Sequence, residues 1–322
     1  MYLACCMTRI YYRFEDKVCV LQGLDHLGSV PRERLLWIDL FNAGEDERQM
    51  IGQLFHVPVQ TQQESEEIES SSRFVETEAF ISANSNFLIL RNEQFVNERA
   101  SFIIKDNLLI SFRKAELRSF TETIKKIESN GKVFSSGYHV LVAIFDARVD
   151  FDADMLEGIA RDSSAIARTI GNEKQLDEKI LLDIPLFQEI TMQLRENIVD
   201  KQRVVSAMLR SEHFPRECND RLRIMIKDIN SLVDHANFSF ERLEYLQNTF
   251  LGLVNIQQNK IIKIFTVASV IFMPPTLIAS LYGMNFKMMP ELTQPWGYPF
   301  ALGLMLVSSL ATLYFFRRKR WL

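Results

Sequence analysis

Two stretches near the C-terminal end constrain this chain more than anything else in it. From Ile264 to Phe286, and again from Leu292 to Phe316, there is no Lys, Arg, Asp, Glu or His, giving runs of 23 and 25 residues. A helix needs roughly 20 predominantly apolar residues to cross the ~30 Å hydrocarbon core of a bilayer. A pair of buried core helices in a soluble protein is the competing reading, but soluble helices of this length normally keep a polar face. Both runs are therefore read as membrane spans. The second starts at about Tyr298, because Thr293-Gln294-Pro295-Trp296-Gly297 reads as loop.

The flanks set the orientation. Arg317-Arg318-Lys319-Arg320 follows the second span without a compensating acid, whereas the loop between the spans balances Lys287 against Glu291. The positive-inside rule then places the C-terminus in the cytosol, and two crossings return the N-terminal region to the same side. Trp296, Tyr298, Tyr314 and Trp321 fall where interfacial aromatics anchor span ends. Met1 to Met7 lacks the basic start and the long apolar run of a signal peptide. With only 4 Cys, the chain reads as holding reduced thiols in a cytosolic compartment.

Residues 1–259 hold 30 Lys and Arg against 40 Asp and Glu. An acidic head attracts cations and repels nucleic acid, whose binding needs a basic face to replace phosphate counterions. Its first third alternates like sheet. Arg9–Phe14 and Lys17–Leu21 form a hairpin candidate around Glu15-Asp16, and Leu35–Leu40 reads as a buried strand. Asn42 is a candidate cap for a helix ending at Phe55. Further strands are expected at Arg73–Ser82, Asn86–Leu90 and Phe102–Arg113, the last turning at Asp106-Asn107. A helix follows from Ala115 to Ser129, closed by Asn130-Gly131.

After Gly137 the pattern is helical: one helix from about Tyr138 to Ile170, and another from about Glu173 to Glu212 in which Pro185 predicts a kink or break. The expected layout is thus an α+β cytosolic domain (1–137), a helical hairpin (138–215), a stalk helix running into the first span (216–283), an outer loop (284–297), a second span (298–316) and a basic tail (317–322).

In the stalk, Leu222, Ile226, Ile229, Val233, Ala236, Phe240, Leu243, Gln247, Phe250 and Val254 recur at alternating steps of four and three, a heptad seam. A helix of ~100 Å needs that seam covered, by its own neighbours or by other subunits. Inside the first span a second stripe appears. Asn259, Ile262, Thr266, Ser269, Met273, Thr276 and Ser280 recur at the same steps and share an arc of ~100°. Such a stripe serves either as a helix-packing seam or as the lining of a water path with apolar constrictions at Ile262 and Met273. A lone two-span subunit encloses no path, so the second reading requires several copies around an axis. Pro274-Pro275 should loosen the helix around Val270 and Ile271.

The first span ends Leu281-Tyr282-Gly283-Met284-Asn285-Phe286, followed by Met289-Pro290-Glu291-Leu292 and Trp296-Gly297-Tyr298-Pro299. Residues 259–322 resemble the CorA-type magnesium transporter family in these strings, and the head and stalk resemble it in layout. That resemblance implies a funnel-shaped homopentamer in a bacterial inner membrane. It would take up hydrated Mg²⁺, and also Co²⁺ or Ni²⁺, driven by the membrane potential and gated by cytosolic Mg²⁺, with no cofactor and no catalytic residue. By position it implies a selectivity ring of Gly283, Met284 and Asn285, with Gly283 and Asn285 facing the hydrated metal. Asn259, Thr266, Ser269, Met273, Thr276 and Ser280 would line the conduit, with Ile262 and Phe265 at an inner apolar gate and Glu291 in the loop. Lys260, Lys263 and Arg317 to Arg320 would form a basic collar at the cytosolic mouth. The family's stalk carboxylate, eleven residues before the position of Asn259, is Asn248 here.

Two rivals remain: a zinc transporter of the related ZntB type, and a membrane-tethered coiled-coil sensor or scaffold without a pore. No phosphate loop is present. His213 and Cys218 lack zinc spacing, and Glu64, Glu66, Glu67 and Glu69 read as a solvated face.

Overall fold

The computed structural model describes residues 7–15, 17–59, 73–91, 94–171, 179–284 and 289–319. Two compact units make up the chain, Met1–Gln247 and Asn248–Leu322.

The first unit holds a mixed sheet of seven strands: β1 (Met7–Phe14), β2 (Lys17–Gln22), β3 (Leu35–Phe41), β4 (Phe74–Glu76), β5 (Ile81–Arg91), β6 (Gln94–Lys105) and β7 (Leu108–Arg113). Their order is β2-β1-β3-β7-β6-β5-β4, and β3 with β7 is its parallel pair. That pair lies mid-sheet with both faces covered, which is why Leu35-Leu36-Trp37-Ile38 reads as an unbroken apolar run. Asp39 interrupts the run and is fully buried. The Arg113 guanidinium pairs with its carboxylate through Nε at 3.1 and 3.2 Å and Nη2 at 2.8 Å, and the Ser111 hydroxyl donates to it at 2.8 Å. Arg113 is itself held between the rings of Phe41 and Phe120.

Helix α1 (Glu45–Phe55) covers one sheet face with Ile51 and Phe55, over Ile38, Leu40, Ile103, Ile110 and Phe112. On the other face Trp37 stacks on Tyr11 at 4.7 Å and meets Phe120 of α2 (Arg118–Ser129). Phe87, Phe102 and Phe145 complete that aromatic layer, each side chain contributing ~1.5–3 kcal/mol through burial. Phe145 belongs to α3 (Gly137–Gly171), which with α4 (Lys179–Arg210) forms the helical hairpin. α4 runs through Pro185 without a break and ends two residues short of Glu212.

Four local expectations are corrected. The cap of α1 is Gly44, whose N–H donates to Glu47, while Asn42 takes a left-handed turn at φ 52°. α2 begins at Arg118, and Asn130 closes it at φ −147° with no left-handed residue. The expected strand over 73–82 is two strands, separated where Thr77 and Phe80 bond each other across a turn. β5 starts at Ile81 instead of Asn86, and β6 starts at Gln94 instead of Phe102, with Gln94–Ser101 pairing with Asn84–Arg91.

Helix α5 runs from Asn219 to Tyr282, led in by a 3-10 turn at Arg216–Cys218. Leu222, Ile229, Ala236 and Leu243, seven residues apart, are fully buried, so their own chain covers this stretch of the seam. Polar bridges flank it: Arg221 to Asp146 and Arg242 to Ser164 of α3, and Gln202 and Arg195 of α4 to Asn230 and Asn237.

In the second unit α5 stays helical through Pro274 and Pro275. A 3-10 turn at Pro290–Thr293 then leads to α6 (Gly297–Arg318).

Candidate functional site

Both apolar helices are long enough to cross a membrane, and the most apolar window of α5 has no residue buried within the chain. Phe265, Phe272 and Met273 are each about two-thirds exposed. Apolar side chains left this bare in water are costly, so a single chain leaves them to be covered by a bilayer or by further copies of the chain.

The helices nevertheless cover each other along one side. On α5 the half-buried positions are Val267, Val270, Ile271, Pro274, Pro275, Ile278 and Tyr282; on α6 the covered positions are Gly297, Ala301, Met305, Ser308, Ser309, Thr312 and Phe316. Each set recurs at helical spacing and forms one flank of its helix. The seven stripe residues, Asn259, Ile262, Thr266, Ser269, Met273, Thr276 and Ser280, are all exposed. At ~100° per residue the stripe is centred roughly 150° round the helix from the flank turned to α6. Packing within one chain therefore does not account for the stripe. Ser269, Met273, Thr276 and Ser280 line a shallow open groove with Phe272 and Leu277.

The hydroxyls along this face are not equivalent. Thr266 Oγ1 donates to the Ile262 carbonyl at 2.8 Å and Thr276 Oγ1 to the Phe272 carbonyl at 2.7 Å. Each proton is used inside the helix, leaving oxygen lone pairs on the outside. Outward lone pairs accept, which suits the donor hydrogens of water around a cation.

The stripe ends at the turn closing α5. Gly283 N–H donates to the Ala279 carbonyl at 2.9 Å and Met284 N–H to that of Leu281 at 3.3 Å. Asn285 lies outside the described residues, as do Arg320, Trp321 and the acidic run Glu64 to Glu69. Beyond it, exposed Glu291 sits in the 3-10 turn, whose carbonyl oxygen approaches Gly297 so closely that a Cβ there would fall 2.0 Å away. Phe265 is exposed beside the stripe, and Lys260, Lys263, Arg317, Arg318 and Lys319 are exposed at the other end of the pair. Among the described residues no group of three or more His, Cys, Asp or Glu is placed to hold a metal ion.

Sequence reading missed two polar constellations in the head. Asp152 of α3 is fully buried between Arg148 at 2.5 Å and Lys201 of α4 at 3.1 Å. Burial pushes the Lys201 amine down to about 8, against the opposing pull of Asp152. Glu76 of β4 accepts from the Ser211 hydroxyl and pairs with His213, both at 2.6 Å, so His213 turns to a carboxylate 137 positions away. Cys218 is buried and its thiol is pushed up to about 11 by desolvation. Arg148 and Asp152 lie four apart on α3, but Lys201 in the first constellation and Glu76 in the second are far in sequence from their partners, so neither constellation is complete in any local stretch.

A family model described as CorA-like Mg²⁺ transporter protein matches residues 32–318. The chain is 40% identical over 294 residues to the magnesium transport protein CorA of Wolinella succinogenes, covering 89% of this chain and 91% of that one. To the protein of that name from Escherichia coli it is 34% identical over 297 residues, covering 91% and 94%. Its fold is similar to that of the CorA magnesium transporter from Methanocaldococcus jannaschii, with a TM-score of 0.82 and 20% identity over the whole of both chains. A more distant likeness is to the ZntB cytoplasmic domain from Vibrio parahaemolyticus, with a TM-score of 0.59 and 14% identity over 78% of this chain and 98% of that one.

Proposed function

The chain belongs to the CorA-like Mg²⁺ transporter family, and we propose that five copies surround a water-filled path lined by the stripe of α5 and closed outside by a ring of Gly283, Met284 and Asn285. The observation that carries this reading is the stripe's position: seven exposed positions on the side of α5 turned away from α6, running directly into Gly283. Copies meeting around an axis give that face water and give the bare apolar flanks lipid.

A neutral ring suits the ion. Mg²⁺ dehydrates reluctantly and prefers octahedral oxygen ligands. Amide oxygens of Asn285 with nearby backbone carbonyls accept from the ion's bound waters, so it enters hydrated. A carboxylate ring would hold it more tightly, and conduction needs sites weak enough to leave. Along the conduit the Thr266 and Thr276 oxygens continue the accepting surface, while Ile262, Phe265 and Met273 supply constrictions that close by dewetting. Hydrated Co²⁺ and Ni²⁺ fit the same octahedral geometry. An inside-negative potential supplies ~2.3 kcal/mol per charge per ~100 mV, twice that for a divalent ion, so uptake needs no nucleotide. Gating by cytosolic Mg²⁺ would draw on the acidic residues of the head, which attract cations.

The test is Mg²⁺ uptake by purified protein in liposomes, with Zn²⁺ run in parallel. Asn285→Ala is expected to lower Mg²⁺ flux at least tenfold. Unchanged flux would remove the ring from the mechanism, Zn²⁺ preference would favour the zinc-transporter reading, and silent vesicles with a dimeric mass would favour a scaffold.

A further inference from the structure

The exposed cations at the basic end of the two spans do not share the stripe's face. By helical phase Lys260 and Lys263 lie roughly 150° and 90° round α5 from the stripe's centre. On α6, Arg317 and Arg318 fall roughly 140° and 120° to either side of the flank covered by α5. Tyr314, one turn back and about two-thirds exposed, lies between them in phase. Counted back from Tyr282 and forward from Gly297, Lys263 and Arg317 stand about equally far, roughly 30 Å at ~1.5 Å per residue, from the turn joining the spans. With Lys319 they make five positive charges at one depth. No acidic residue occurs between Glu244 and Glu291 or after Glu291. Among the described residues none of the five is in an ion pair, whereas Arg73, Arg91, Arg113 and Arg221 of the head all are.

We propose that Lys260, Lys263, Arg317, Arg318 and Lys319 form a docking surface for anionic phospholipid in the leaflet at the basic end, instead of a collar facing the conduit. The inference rests on the membrane-spanning reading and not on conduction. Arg317 and Arg318 sit where the apolar outer face of α6 ends, so their guanidinium groups come level with lipid phosphodiesters while Leu310 and Leu313 stay among acyl chains. A guanidinium binds a phosphodiester through two parallel hydrogen bonds, and Tyr314 supplies the interfacial ring. The charge is complementary, and the exposed positions on both sides of α6 leave room for one headgroup at each arginine.

The experiment uses the full chain in mixed phosphatidylglycerol–phosphatidylcholine vesicles carrying trace spin-labelled lipid of either kind. The readout is the ratio of the motionally restricted fractions, phosphatidylglycerol over phosphatidylcholine. The parent protein should prefer phosphatidylglycerol, and Arg317→Gln with Arg318→Gln should remove most of that preference, each charge being worth about fivefold near an anionic surface. Arg317→Lys with Arg318→Lys should retain most of it, which separates charge from fold. Soluble inorganic phosphate should not displace the lipid. A ratio near unity in the parent, a ratio unmoved in the double Gln variant, or displacement by phosphate would overturn the proposal. Mg²⁺ flux recorded in the same vesicles reports on the transport reading separately, so the two can fail independently.

Discussion

Asp152 is one carboxylate between two cations, Arg148 and Lys201, and all three side chains are almost wholly buried. The Phe87 ring takes up part of the imbalance, lying 5.4 Å from the Arg148 guanidinium and 6.0 Å from the Lys201 amine. Asp152→Asn would leave two buried cations without a counter-charge. It should cost about 3–5 kcal/mol, seen as a lower denaturant midpoint of the detergent-solubilised protein. A parent-like midpoint would mean that the triad is not a structural centre. Glu76 gives the pH counterpart. Burial by itself raises its carboxyl, but the Ser211 hydroxyl and His213 outweigh burial and hold it below the ordinary carboxylate range. The unfolded chain then binds the proton more readily, so the contribution is fully present above the unfolded value of about 4.3 and is lost as pH falls through the lower folded one. The stability gap between the parent and Glu76→Gln should close on acidification from about pH 5 to about pH 3. A gap independent of pH would contradict this account.

At the scale of elements, Gly297 decides how the turn joining the spans meets α6. A Cβ there would fall 2.0 Å from the Glu291 carbonyl oxygen, whereas one at Gly303 would meet nothing within 4 Å. Gly297→Ala should therefore cost about 1–3 kcal/mol by overpacking, and Gly303→Ala should be near neutral, with thermal melting in detergent as the measure. Equal effects would mean that the turn yields freely. The elements most legible in the sequence were those with an unbroken period: the seam from Leu222 to Leu243, the two charge-free runs, and the β1–β2 and β6–β7 hairpins. Pro185 and Pro274-Pro275 were weaker signals, because packing along the helix holds it through them. β6 was illegible at its polar end, where Gln94–Ser101 has strand pairing but little apolar alternation. The cap of α1 was missed because it is a glycine with no capping side chain, whose own N–H donates to Glu47 three residues on. In the candidate site, the stripe's spacing was readable, but the flank that α6 covers was not, since covering depends on a second helix. The phase of the basic residues relative to the stripe could be judged only against that flank.

The whole-molecule claim is that copies of α5 share a water path along the stripe. A single chain leaves three kinds of surface on its spans: a flank turned to α6, bare apolar faces, and a polar stripe facing neither helix of its own chain. Lipid satisfies the second but not the third, because the Thr266 and Thr276 hydroxyls place their protons inside the helix and hydrocarbon offers no donor to the oxygen lone pairs left outside. In the proposed assembly the stripes would come together around water, and the excess of 40 acids over 30 bases in residues 1–259 would attract cations. The direct test is thiol accessibility in a chain freed of its four native cysteines, reconstituted in liposomes. Cysteine is placed in turn at Ser269, Thr276 and Ser280 on the stripe, and at Ala268 and Ala279 off it. A membrane-impermeant thiol reagent should label the three stripe positions and block Mg²⁺ flux there, sparing the two alanine positions. Labelling of Ala268 and Ala279 with the stripe positions unreactive would contradict the claim.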